Sequence, residues 1–354
     1  MLDARVIDAD GHVEPHVTCD WRKYAPGPYA AIMDRYTRQM FGREGDRAAT
    51  RRGAWDPQVR LEEMDIEGID VAVLFGGATS KLNAAAASEN PGMGPAIMQG
   101  YNNWLHDYCS ENPSRLKGAA QVTLEDLDAA CVEARRAVSE LGAVGLVIQP
   151  FVSTEDGYLT LDNTHWDPLF DTAQELDVPI LVHVGAAVRE WVSQVYSTHF
   201  HKHTVDFPMS IQMAIQDAVT GAVFERFPRL RIGFLEGSIG WFPWFIDRLD
   251  EHFQKLPHHV PRIKEKPSVL IARYMNEGRF FVSCEPEERY LPFAVRELGD
   301  NCIIYASDYP HWDCEYPNSV TAISKRRGLS KESKENILGG NAKRLYGKHL
   351  ESTA

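Results

Sequence analysis

The side chains best suited to chemistry in this chain gather where its apolar runs stop. The first such run is Val6-Ile7-Asp8-Ala9-Asp10-Gly11-His12-Val13-Glu14-Pro15. It opens as a strand and breaks into acids, a histidine, a glycine and a proline. Side chains alternate along a strand, so Asp8, Asp10 and His12 are predicted to project the same way. An aspartate and a histidine two residues apart on one face can ligate one divalent cation, and carboxylate with imidazole suits zinc, manganese or iron. Further runs end at Gln149, His183, Glu236, Glu285 and Asp308. One such ending means little, because polar residues must begin somewhere. Six of them point to a shared site.

The elements that must position these residues alternate between strand and helix. Strands are predicted over 6–10, 71–75, 116–122, 144–149, 179–184, 230–236, 279–284 and 302–307. Helices follow them, including 57–67, with Pro57 in its first turn and Gly68 where it should stop. Fully apolar strands each followed by a helix imply a parallel sheet buried on both faces. Eight such units close into a (β/α)8 barrel with its active site at the C-terminal strand ends. The expected organisation is thus α/β, a single TIM-barrel domain over 1–354, with a long insertion after the first strand and C-terminal helices. The insertion, at about 15–56, carries Arg38, Arg43, Arg47, Arg51 and Arg52. An irregular stretch this long is expected to act as a lid, with at least one arginine facing the pocket as a carboxylate clamp.

Composition narrows the function. The chain has 354 residues, is 44% hydrophobic and carries a net charge of −13, which argues against nucleic acid or an anionic membrane as partner. No apolar run approaches the roughly 18 residues of a membrane span. The N-terminus enters the first strand at once, so no signal peptide is expected. The six cysteines lack Cys-x-x-Cys spacing, which fits reduced thiols in a cytoplasmic protein. A small-molecule substrate, anionic or acyl, is expected, and a homodimer is compatible with the sequence.

Asp-x-Asp-x-His on the first strand, Leu181-Val182-His183 on the fifth and Ser307-Asp308-Tyr309-Pro310-His311 after the eighth resemble the amidohydrolase superfamily. Met64-Asp65-x-x-Gly68-Ile69-Asp70 and Pro243-x-x-x-x-Arg248-x-Asp250 are similar to its amidohydrolase-related branch, which includes aminocarboxymuconate-semialdehyde decarboxylase and the resorcylate and vanillate-type decarboxylases. The resemblance implies a TIM barrel with Asp10, His12, His183 and Asp308 as metal ligands, Asp308 also exchanging a proton. The chain departs from the branch in two places. It has Asp10-Gly11-His12 where His-x-His or Glu-x-His is usual, and Glu236 where a histidine is usual. Each change adds a carboxylate beside the metal, which discourages a substrate carboxylate but could hold a second cation.

Three activities stay open. Metal-activated water could hydrolyse an acyl, ester or lactone carbon, with Asp308 or Glu236 as base, and base rates in the superfamily place this first. Non-oxidative decarboxylation of an aromatic or unsaturated acid is the alternative. The carboxylate count also admits a non-haem di-iron monooxygenase acting on a secondary-metabolite intermediate, a divergent activity this branch is thought to include. Glu236 is expected to face the metal as ligand or bridge, with an ion pair to Arg248 or Arg273 as the plain alternative. His311 is expected at the rim, with a catalytic role. His199, His201 and His203 are read as an extended loop with all three rings on one side, and with Glu285 and Gln149 they are candidate contacts to a second metal or the substrate.

Overall fold

The computed structural model describes residues 4–25, 27–41, 51–77, 93–124, 126–154, 157–184 and 186–351. Its strands, in chain order, are β1 (Ile7–His12), β2 (Val71–Phe75), β3 (Leu116–Gly118), β4 (Ala120–Gln121), β5 (Leu146–Ile148), β6 (Phe151–Thr154), β7 (Gly157–Thr160), β8 (Ile180–Val182), β9 (Ile232–Phe234), β10 (Phe280–Cys284) and β11 (Ile303–Tyr305). The hydrogen-bonded orders are β1-β2-β3 and β4-β5-β8-β9-β10-β11, all parallel. β3 and β4 are one barrel strand interrupted at Ala119. Past β11 the chain returns to β1: the Asp308 N–H donates to the Asp10 carbonyl (3.1 Å) and the His12 N–H to the Tyr309 carbonyl (2.7 Å). The predicted eight-strand TIM barrel is the observed fold.

Strand periodicity divides the core into two layers. Ile7, Ala9, Val71, Val73, Leu181, Phe281 and Ile304 pack in one cluster inside the barrel, and their alternates Leu74, Leu146, Ile180, Phe234 and Val282 pack in the other beneath the helices. The C-terminal helix Asn341–Tyr346 plugs the N-terminal end, since Ala342, Leu345 and Tyr346 join the inner cluster and the Tyr346 hydroxyl donates to the Ala9 carbonyl at 2.7 Å. Chemistry is thereby left to the opposite end.

Several elements differ from expectation. The antiparallel hairpin β6–β7 follows β5, and the 15–56 segment contains a helix at Pro28–Phe41. The stretch read as an extended histidine loop is the start of a helix, His199–Thr220. Pro208 lies inside this helix. The start is set by Thr198, whose hydroxyl accepts from the His201 N–H. Helical spacing puts His199 and His203 on one face and turns His201 away, to stack on Tyr196 (5.5 Å).

Candidate metal centre

β1 does not keep the alternation expected of it. Its pairing with β2 shifts between Asp8 and Gly11, so Asp8 and Asp10 point to opposite sides. Asp10 and His12 face the barrel mouth, whereas Asp8 faces the outer layer. There its carboxylate accepts from the Ser307 N–H (2.8 Å) and hydroxyl (2.6 Å) and lies 3.6 Å from the buried guanidinium of Arg60. A Cβ on Gly11 would sit 2.5 Å from Arg60 Nη2 and 2.9 Å from Asp8 Oδ2. Glycine between Asp10 and His12 is therefore required by the packing behind the site.

Inside, Asp10, His12 and His183 bring ligand atoms within 4.8 Å of one another, and so do His12, Asp308 and His311. His12 Nδ1 lies 3.3 Å from the Phe75 carbonyl and His183 Nδ1 lies 3.0 Å from the Val184 carbonyl. A carbonyl can only accept, so each Nδ1 carries the proton and each Nε2 presents a lone pair to the centre. His12 Nε2 is 3.3 Å from Asp10 Oδ1 and 3.2 Å from Asp308 Oδ1. Yet His12 Nε2, His183 Nε2 and both Asp10 oxygens have no aligned hydrogen-bond partner among the described residues. Buried polar atoms left in this way are costly unless a cation completes them.

The electrostatics agree with that requirement. Burial pushes the Asp10 carboxyl well above its ordinary range, and the carboxylates of Glu236 and Asp308 add to the shift. Glu285 is raised in the same way by burial, Asp308 and Glu236. His12 is pushed down to about 3, by burial first and then by His311. Concentrated carboxylates beside neutral imidazoles suit a divalent cation, so the residues present fit the metal. Asp10, His12, His183 and Asp308 could hold it.

Glu236 and Asp308 each follow a strand with left-handed backbone, φ 56° and 53°. Such a turn is costly for residues with a Cβ, and here it aims both carboxylates into the mouth. Glu236 Oε2 lies 2.7 Å from His183 Nε2 and Oε1 lies 3.9 Å from His311 Nδ1. The arginine alternatives for Glu236 are spent elsewhere: Arg248 pairs with Glu251, and Arg273 with Glu265 and Glu225. His311 lies 2.6 Å from Asp308 Oδ1 and stacks on His12 at 4.3 Å. Burial alone would lower its pKa, but Asp308, Glu236 and Asp313 lift it to about 9. Asp308, with His311 and His12 against it, is held below the usual carboxylate range despite burial.

The remaining candidates are spread around the same end. Glu285 follows β10 directly and Gln149 follows β5, half-buried. Arg38 pairs with Asp34 and Arg52 with Asp56, while Arg51 lies over the rings of Tyr309 (5.9 Å) and Tyr316 (4.6 Å). Arg43 and Arg47 lie outside the described residues. Sequence reasoning missed Arg60, and it quoted Ser307 within a motif without giving it a role. The signal was a charge at Arg60 on the buried stripe of helix Pro57–Glu67, beside Leu61 and Met64.

The model of the amidohydrolase family matches residues 7–348. The 2-amino-3-carboxymuconate-6-semialdehyde decarboxylase of Dictyostelium discoideum is 28% identical over 303 residues, covering 83% of this chain and 77% of its own. The gamma-resorcylate decarboxylase of Rhizobium sp. strain MTP-10005 is 27% identical over 297 residues, 81% of this chain and 86% of its own. The crystal structure of 5-carboxyvanillate decarboxylase from Novosphingobium aromaticivorans, complexed with manganese and 4-hydroxy-3-methoxy-5-nitrobenzoic acid, superposes with a TM-score of 0.69 at 19% identity, covering 97% of this chain and 96% of that one.

Proposed function

Because the chain belongs to the amidohydrolase family, we propose that it is a metal-dependent, non-oxidative decarboxylase of a small aromatic or unsaturated acid. Hydrolysis, placed first by the sequence, yields to this alternative because the relatives named are decarboxylases. None of those named is an oxygenase, and the di-iron expectation gains no support from them.

The observation that carries the reading is the contact between His311 Nδ1 and Asp308 Oδ1 at 2.6 Å. A hydrolase needs an available base to take a proton from water. Here Asp308 is engaged by His311 and flanked by His12, which makes it a weak base. Decarboxylation needs the reverse, a proton delivered to carbon. A divalent cation, when bound, supplies a positive anchor for the substrate carboxylate and a neighbouring oxygen. His311, kept protonated by Asp308 beside it, then delivers a proton to the carbon bearing the carboxylate. As the carbon–carboxylate bond breaks, its electron pair returns to the ring or double bond and carbon dioxide leaves. The Val184 carbonyl holds the His183 ring through Nδ1, and the Glu236 carboxylate beside it disfavours a second anion in the mouth. Among the described residues of the 15–56 segment, Arg51 lies over Tyr309, in the loop that carries Asp308, which supports reading the segment as a lid.

Protein reconstituted with manganese or zinc should release carbon dioxide from ortho-hydroxylated benzoates and leave aryl esters and lactones intact. Turnover of esters or lactones without decarboxylation would restore the hydrolase.

A further inference from the structure

Outside the metal cluster, the mouth carries exposed aromatic side chains that the proposed chemistry does not use. We propose that the rim built by the first turns of helix His199–Thr220 and the loop after β11 binds an apolar or aromatic extension on the substrate. The acid accepted would therefore be larger than a single ring. This rests on the reading that an acid is anchored at the metal.

His199 and His203 share one helical face, with ring centroids 5.0 Å apart. The Trp312 ring faces both, at 6.0 and 5.5 Å, and is 53% exposed. Phe207, one turn further on, packs against His203 at 4.3 Å. Trp191 and Tyr196 before the helix and Phe200 in its first turn are also exposed, at 45%, 39% and 75%. Tyr196 and Phe200, however, meet His201 on another side of the helix, so the patch rests on His199, His203, Phe207 and Trp312. Isolated exposed apolar residues are ordinary, but a contiguous aromatic patch marks a binding surface. Flat π-faces accept rings without demanding a hydrogen-bond pattern.

The rim is continuous with the metal centre. Asp313 Oδ2 lies 3.8 Å from His203 Nε2, tying the helix to the β11 loop. That loop carries Asp308, His311, Trp312 and Asp313 in six residues. An acid whose carboxylate sits at Asp10 and His12 and whose body leaves past His311 must run beside Trp312. A monocyclic acid would leave these rings in water.

The test uses the manganese-loaded protein and two acids, salicylate and a phenyl-extended salicylate, with binding measured by calorimetry so that turnover is not needed. Wild type should bind the extended acid roughly tenfold more tightly. Trp312→Ala should abolish that margin while leaving salicylate within about twofold, and Trp312→Phe should keep most of it. Circular dichroism and metal content should match wild type in both variants. A margin that survives Trp312→Ala, or an equal loss for both acids, overturns the rim. If the extended acid binds through Trp312 but neither acid is decarboxylated, the rim stands and the proposed reaction falls. If neither acid binds, both fall.

Discussion

At the residue scale, the centre rests on histidines whose tautomers are set by backbone carbonyls. His183 donates from Nδ1 to Val184 and turns Nε2 inward. Replacing it by alanine should cost more metal affinity than the roughly 10–100-fold typical of a lost supporting residue. Metal content after dialysis is the measurement. Because the ring sits at a strand end and not in the inner or outer cluster, unfolding of the metal-free variant should differ from wild type by less than about 1 kcal/mol. Retained metal in His183→Ala would remove this residue from the ligand set.

At the element scale, one buried cation joins three pieces of the fold. Arg60, on helix Pro57–Glu67, donates to the His12 carbonyl (3.2 Å) and the Tyr309 carbonyl (3.4 Å), stacks on the Tyr309 ring at 4.3 Å and faces Asp8. It thus holds the end of β1 against the end of β11, where His12 and Asp308 must meet. Arg60→Met leaves Asp8 buried without its cation and should destabilise by about 3–5 kcal/mol in urea titration. Metal affinity should fall with it. A second test lies on helix His199–Thr220. Burial, with Asp162 nearby, lifts the Asp217 carboxyl to about 7. A carboxyl whose folded pKa exceeds its unfolded value of 3.8 destabilises the fold as pH rises through that window, and the cost is fully present above about pH 7. Asp217→Asn should match wild type near pH 4 and exceed it at pH 8 by on the order of 2–4 kcal/mol. Equal stability at both pH values would contradict the shift.

For the whole molecule, metal and fold are linked. The barrel gathers Asp10, Glu236, Glu285 and Asp308 at one end of a chain already carrying a net charge of −13, and a bound cation relieves their repulsion only in the folded state. Metal at a hundred times its dissociation constant should stabilise the protein by about 2.7 kcal/mol. Chelation should lower the melting temperature and re-addition restore it. A melting curve indifferent to chelator would mean that the cluster does not hold a cation.

The sequence by itself determined the barrel, because apolar strands, Pro57 at a helix start and Gly68 and Gly142 at helix ends are local signals that the final packing agrees with. Gly68 and Gly142 do adopt left-handed helix caps. The sequence also marked His12, His183 and Asp308, since polar residues at apolar strand ends are visible without a structure. What it could not reach depends on chain segments meeting at a distance. The shift in β1 that turns Asp8 to Arg60 and Asp10 to the mouth arises from pairing with β2 and packing of Gly11 against Arg60. The 199–203 histidines joined a helix because Thr198 caps it and the segment packs beside the β11 loop, which alternation in the sequence could not reveal. Glu236 reached His183 through a left-handed turn that no propensity favours, and only the tertiary contacts of the barrel mouth hold it there.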